Sequence, residues 1–262
     1  MQESTIKRRP YAGVLLCILI TAIFLAVDTA LSTLLSPHIY GAQWSVISSV
    51  VRLLFGIIVL FVFVGVFKKE SWTNVINLIN FRSGLQASSG AITLTLFLFI
   101  HLALGVKSYV DTTMFRVVAN LLFVQITTGL FEELLFRATL LEGYFTKEER
   151  TWKDRLKYAL LSFFVFGLVH MYGCNDFGFA IYRLFITGMM GYVYAAIYLP
   201  SRNIVVPMLM HFIYDIPANA TNFVAEWNQT TVFIIWDNYV YFIAIGAMLI
   251  LSTIYLIKPQ NN

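Results

Sequence analysis

The stretch GLFEELLFRATL, residues 129–140, sets Glu132, Glu133 and Arg137 inside a run that otherwise reads as lipid-soluble. A charged side chain at the bilayer centre costs about 2.5–3.5 kcal/mol on insertion scales, so three in one segment demand partners or a task. The rest of the chain says that the segment does sit in a bilayer. Of 262 residues, 59% are hydrophobic and only 12% are charged, and the mean hydropathy is +0.75. A soluble domain of this size does not carry that balance, and apolar runs of roughly twenty residues recur throughout. The expected fold is an all-α, polytopic membrane helix bundle, a single integral membrane domain over residues 1–262.

Eight transmembrane helices are expected, at residues 11–35, 44–67, 89–106, 116–142, 158–173, 178–199, 204–217 and 239–257. The seventh is short and bracketed by Pro207 and Pro217, so neighbouring helices must cover it. Basic residues cluster on the cytoplasmic side of membrane proteins. With the N-terminus inside, Lys7, Arg8, Arg9, Lys68, Lys69, Arg82, Lys147, Arg150, Lys153, Arg155, Lys157, Arg202 and Lys258 fall on that side, against only Lys107 and Arg116 outside. That asymmetry predicts an N-in, C-in topology. The net charge of +4 is therefore topological and does not indicate nucleic acid as a partner.

The opening KRRPYAGVLLCILITAIFLA resembles a secretory signal, but its apolar stretch continues to about residue 35 without a small-x-small cleavage site, so it reads as an uncleaved first span. Between spans two and three, SWTNVINLINF (71–81) spaces Trp72, Val75, Ile76 and Ile79 for a short interfacial helix, with an ordered loop as the alternative. The loop GYFTKEERTWKDRLKY (143–158) mixes both charge signs and reads as a solvated turn. The outer segment from Asn219 carries two N-x-T triplets, at Asn219 and Asn228, which matter only in a secreting eukaryote. Cys17 and Cys174 are expected near opposite faces of the membrane and not in a disulfide, and neither has metal-ligand spacing.

Ten ionisable residues fall in or near the spans. Asp28, Arg52 and His101 stand alone in sequence, and snorkelling or a structural hydrogen bond accounts for each. Arg183 is open to pairing with a carboxylate elsewhere. The other six form local pairs. Glu133 and Arg137, four apart on one helix face, can neutralise each other, whereas Glu132 lies about 100° round the helix and is left without a local partner. His170 shares a face with Phe166 in FGLVH, and His211 shares one with Asp215 in HFIYD. At about 1.5 Å per residue, Glu132 lies about 15 Å in from its cytoplasmic end, His170 about 18 Å and His211 about 10 Å, so three helices bring a Glu and two His to one layer.

Two chemistries use such a set. Glu132 can be the general base on a water positioned by His170, with His211 and its helix neighbour on the oxyanion side. Alternatively, Glu132, His170, His211 and Asp215 ligate a divalent metal, zinc above all, which activates the water itself. No H-E-x-x-H supports the second, so no cofactor is favoured.

The three segments EELLFR, FGLVH and HFIYD match E-E-x-x-x-R, F-x-x-x-H and H-x-x-x-[N/D] in order and at comparable separations. The chain thereby resembles the CAAX protease and bacteriocin-processing family, also called the Abi family of intramembrane endopeptidases, over a catalytic core at residues 125–217. The resemblance implies that Glu132 activates the water together with His170, that His211 and Asp215 form the oxyanion side, and that Glu133 and Arg137 support the first Glu. The prenyl-protein-processing branch usually has Asn where this chain has Asp215. An Asn amide donates to an oxyanion and an ionised Asp does not, so Asp215 leans away from that branch.

By the same resemblance the substrate is a peptide or protein precursor at the membrane, hydrophobic or lipidated, with the lipid bilayer as the other partner. The site is expected to open to the cytoplasm of a bacterial cell membrane, in precursor processing, bacteriocin maturation, self-immunity or envelope regulation. The rival readings are the metal-dependent peptidase, a non-catalytic scaffold or immunity protein, and a proton-coupled transporter, for which no inverted repeat is visible.

Overall fold

The computed structural model of the chain describes residues 12–35, 38–39, 41–65, 76, 78–140 and 151–258. In order these form α1 (Ala12–Leu35), α2 (Ala42–Phe63), α3 (Phe81–Ala87), α4 (Ser89–Gly105), β1 (Val106–Tyr109) and α5 (Met114–Thr139). Then follow α6 (Trp152–His170), α7 (Phe177–Ser201), α8 (Val205–Ala220), β2 (Val224–Trp227) and α9 (Thr231–Ile257). The all-α membrane bundle is the architecture of the chain. The one addition is the antiparallel β1–β2 pair, Val106 opposite Trp227 and Tyr109 opposite Val224, which ties the loop after α4 to the loop before α9.

Five helices, α1, α2, α5, α7 and α9, are long and apolar enough to cross a membrane, and α3 with α4, bent by 60°, makes a sixth if the pair counts as one span. The expected crossings at 158–173 and 204–217 correspond to α6 and α8, which fall short of that standard. The first two turns of α6 carry Lys153, Asp154, Arg155 and Lys157, and α8 has 16 residues, about 24 Å of helix. These two helices carry His170 and His211.

α6 also starts sooner than the apolar pattern suggests. Thr151 accepts from the Asp154 amide while the Asp154 carboxylate accepts from the Thr151 amide, a reciprocal capping box. The turn expected up to residue 158 is therefore helix from Trp152, and the depth of His170 counted from residue 158 is corrected: His170 closes the helix at its far end. Residues 141–150, the rest of that loop, lie outside the described residues. So does most of the expected 71–81 helix, and the residues described just before Phe81 form a turn.

The helix ends gather in two sets. At one end Arg155 donates to the carbonyls of Leu256 and Lys258, at 2.6 and 2.9 Å, closing the C-terminus of α9. At that same end the Asn203 amide donates to Ile79 O, while its Oδ1 accepts from the Val205 and Val206 amides and caps α8. At the other end lie the β1–β2 pair, the Lys107–Glu226 ion pair at 2.8 Å and the Thr29–Tyr172 hydrogen bond. Cys17, near the start of α1, and Cys174, in the α6–α7 turn, are both free.

Packing divides the helices into a centre and a shell. In α7, 13 of the 25 residues are buried within the protein, against 5 of 24 in α1, and α9 is similarly sparse. The outer surfaces of α1 and α9 present Leu15, Ile18, Leu19, Phe242, Ile243 and Ile250, which is the surface a bilayer requires of an integral membrane protein. Small residues let the central helices touch. A Cβ on Gly191 of α7 would lie 2.7 Å from Ser162 O and 2.9 Å from Phe166 Cβ of α6, so only glycine allows that approach.

Candidate active site

The charged segment of α5 is not a regular α-helix throughout. Its α-helical turns end at Glu133 and continue as a π-helical turn over Leu134–Thr139. Such turns weaken the main-chain ladder and often occur at functional sites. Here the Tyr158 hydroxyl, buried on α6, lies 3.2 Å from the carbonyl oxygens of both Phe136 and Arg137, and donates there.

Glu133 and Arg137 pair at 3.1 Å, both fully buried. The guanidinium lies between two ring faces, 4.4 Å from the centroid of Phe166 and 5.1 Å from that of Tyr194. The pair does more than neutralise a helix. The other Glu133 oxygen meets His211 Nδ1 at 2.7 Å. A carboxylate can only accept, so Nδ1 carries the proton and Nε2 is the free edge of the ring. That edge faces two further carboxylates, Asp215 Oδ2 at 3.4 Å and Glu132 Oε2 at 3.8 Å. Glu132 Oε2 is buried and accepts no hydrogen bond.

The approach of α8 to α5 makes this possible. A Cβ on Gly129 would sit 3.1 Å from Met208 O and 3.8 Å from His211 Cβ. One turn before Glu133, glycine thus lets the His211 backbone come close enough for a direct hydrogen bond.

The structure therefore brings together Glu132, Glu133, Arg137, His211 and Asp215, with Phe166 packed 6.2 Å from the His211 ring. His170 joins through Phe166: the two rings are 4.4 Å apart, and His170 Nδ1–H donates to Phe166 O at 2.8 Å, leaving Nε2 as its free nitrogen. Of the residues set aside as structural, Arg52 turns back on its own helix to the Ser48 carbonyl and hydroxyl, and His101 pairs with Asp237 at 3.7 Å. Arg183 lies against the Phe179 ring of its own helix.

The sequence does not single out Tyr194. Its ring stacks on His211, 4.8 Å between centroids and 22° from parallel, and it is fully buried. Nothing local marks it within the run YVYAAIY, where other tyrosines surround it. A cavity of about 300 Å3 begins one helical turn from it: Met190, Ile186 and Tyr182, at four-residue steps from Tyr194 along α7, line this space with Tyr214 and Ala218 of α8 and with His101 and Asp237, while Tyr194 and the Glu132 cluster lie outside its wall. Among the described residues, no three His, Cys, Asp or Glu side chains are arranged to hold a metal ion.

No curated protein and no solved structure matches the chain. A family model matches part of it. Residues 114–217, from the start of α5 to Pro217 of α8, carry every member of the cluster and match the Rce1-like type II CAAX prenyl endopeptidase family.

Proposed function

We propose that the protein is an intramembrane endopeptidase in which Glu132 activates water against a peptide bond of a membrane-associated precursor. The observation that carries this reading is Glu132 Oε2: a buried carboxylate oxygen without a hydrogen bond, beside an imidazole whose orientation is locked from behind by Glu133. A buried acceptor of that kind calls for a water, and a water there is next to a base.

Glu132 takes one proton as the water oxygen bonds to the carbonyl carbon, and the carbonyl π electrons move onto oxygen. His170, with Nε2 free, orients the water or shares its proton. His211 acts as the imidazolium: with Nδ1–H on Glu133, its second proton, on Nε2, is donated to the new oxyanion, and Asp215 holds that edge in place. When the tetrahedral species collapses, the C–N bond breaks and the proton held by Glu132 passes to the leaving amine. Arg137 and Glu133 position His211 and do not touch the substrate.

The basic end of the bundle, with Arg82, Arg155, Arg202 and Lys258, supports a cytoplasmic opening under the positive-inside rule. The largely apolar cavity that begins at Met190, one helical turn from Tyr194, supports a hydrophobic or lipidated precursor, as the name of the matched family suggests. Processing of bacterial peptide precursors, in bacteriocin maturation, self-immunity or envelope regulation, is the setting we favour.

The test is mass spectrometry of membrane-associated peptides from cells carrying the wild-type protein or Glu132→Gln. A precursor that accumulates only with the variant is expected, and identifies the cleaved bond. Full biological effect from a folded Glu132→Gln protein would leave a non-catalytic scaffold instead. Stoichiometric zinc, lost together with activity, would replace the glutamate mechanism by a metal-dependent one.

A further inference from the structure

Attack on a peptide carbonyl creates an oxyanion, and the site must aim hydrogen-bond donors at it. Around Glu132 acceptors outnumber donors. The carboxylates of Glu132, Glu133 and Asp215 cannot donate when ionised. His211 Nδ1–H is committed to Glu133 at 2.7 Å, and His170 Nδ1–H to Phe166 O at 2.8 Å. His211 Nε2 is left as a single donor.

Tyr194 is placed to be the second. It is fully buried on the most enclosed helix of the bundle, stacked on the His211 ring, and its hydroxyl has no hydrogen-bond partner. Asp215, Glu133 and Arg137 are the charged groups within electrostatic reach of that hydroxyl. The Arg137 Nη atoms are also unpartnered donors. However, the guanidinium is held between the Phe166 and Tyr194 rings, and Glu133 and His211 separate it from Glu132 and Asp215 in the chain of contacts. If stacking were the whole role of residue 194, phenylalanine would do it without burying an unsatisfied hydroxyl.

We propose that Tyr194 is a catalytic hydrogen-bond donor, its Oη–H aimed with His211 Nε2–H at the oxygen of the scissile carbonyl, and that it supplies the donor that Asp215 cannot. The phenol keeps its proton throughout. This inference rests on the endopeptidase reading of the same site.

The test uses full-length wild-type, Glu132→Gln, Tyr194→Phe and Tyr194→Phe/Asp215→Asn proteins, purified in detergent. Each is incubated with the membrane-peptide extract of cells that carry Glu132→Gln in place of the wild type, and precursor consumption is followed by quantitative mass spectrometry at several extract concentrations. Wild type should consume a precursor and Glu132→Gln should not. Tyr194→Phe should slow the maximal rate about 100- to 1,000-fold, the usual loss for one oxyanion donor, with the half-saturating concentration unchanged. Restoring an amide in the double variant should recover about tenfold of that loss. A wild-type rate in Tyr194→Phe overturns the inference and leaves the endopeptidase standing. A loss that the double variant does not reverse marks Tyr194 as structural and also overturns it. No consumption by the wild-type protein overturns both readings.

Discussion

Among the described residues, two histidines meet carboxylates, and the two sites differ in almost every respect that matters for chemistry. His211 meets Glu133 at 2.7 Å, with side chains 7% and 0% exposed, and its other edge faces Glu132 and Asp215. His101 of α4 meets Asp237 of α9 at 3.7 Å, and that Asp is 53% exposed. Phe97, Trp227 and Phe233 surround the His101 ring at 5.0–5.9 Å. Each pair also lies by a π-helical turn, Leu134–Thr139 in one case and Trp236–Val240 in the other. Neither an imidazole at membrane depth nor an irregular helix therefore marks a reactive site. What separates the two is convergence: at His211 three carboxylates are desolvated around one imidazole, while at His101 a single, half-exposed carboxylate meets an imidazole set among aromatic rings in the wall of the cavity.

The comparison breaks most readily at its strongest point. Glu132→Gln should lower peptide hydrolysis by about 1,000-fold or more, toward the upper end of what general-base removal costs, with the folded state intact by thermal unfolding in detergent. A smaller effect follows from the buried ion pair. Arg137→Met should cost about 3–5 kcal/mol of stability, because it leaves the Glu133 charge buried without its partner, and adding Glu133→Leu should recover much of that loss. Denaturation of the single and double variants in the same detergent measures both.

Gly129→Ala tests the helix approach that makes the His211 cluster. The new methyl would press on the Met208 carbonyl, so we expect a loss of about 1–3 kcal/mol together with reduced hydrolysis. Gly65→Ala, where nothing lies within 4 Å of the added atom, should stay within about 0.5 kcal/mol. The smallest effect is expected at the second pair. Asp237→Asn should leave the hydrolytic rate within about twofold of wild type, since the partly exposed carboxylate interacts weakly with His101. A rate as low as that of Glu132→Gln would abolish the distinction between the two sites.

Much of the site was legible because its members lie three or four residues apart within helices. The Glu133–Arg137 pair, the shared face of Phe166 and His170, and that of His211 and Asp215 all follow from helical spacing. The start of α6 was also readable, since Thr151 and Asp154 spell a capping box, but an apolar-span criterion passes over it. Tyr194 was not legible. Its importance comes from the ring of another helix stacked on it, and no spacing rule reaches from α7 to α8. Nor could spacing assign Glu133 to His211, 78 residues away.

By itself the sequence determined the class of fold and the short list of polar residues that a bilayer would not tolerate without cause. Hydropathy and helical periodicity are local properties, and they suffice for that. The tertiary structure decided which of those residues meet. Close contacts at Gly129 and Gly191 set how near α8 comes to α5, and α7 to α6. Those distances turn one histidine toward three carboxylates and leave another among aromatic rings. Interhelical distance depends on residues far apart in the chain packing at once, so it exists only in the folded molecule.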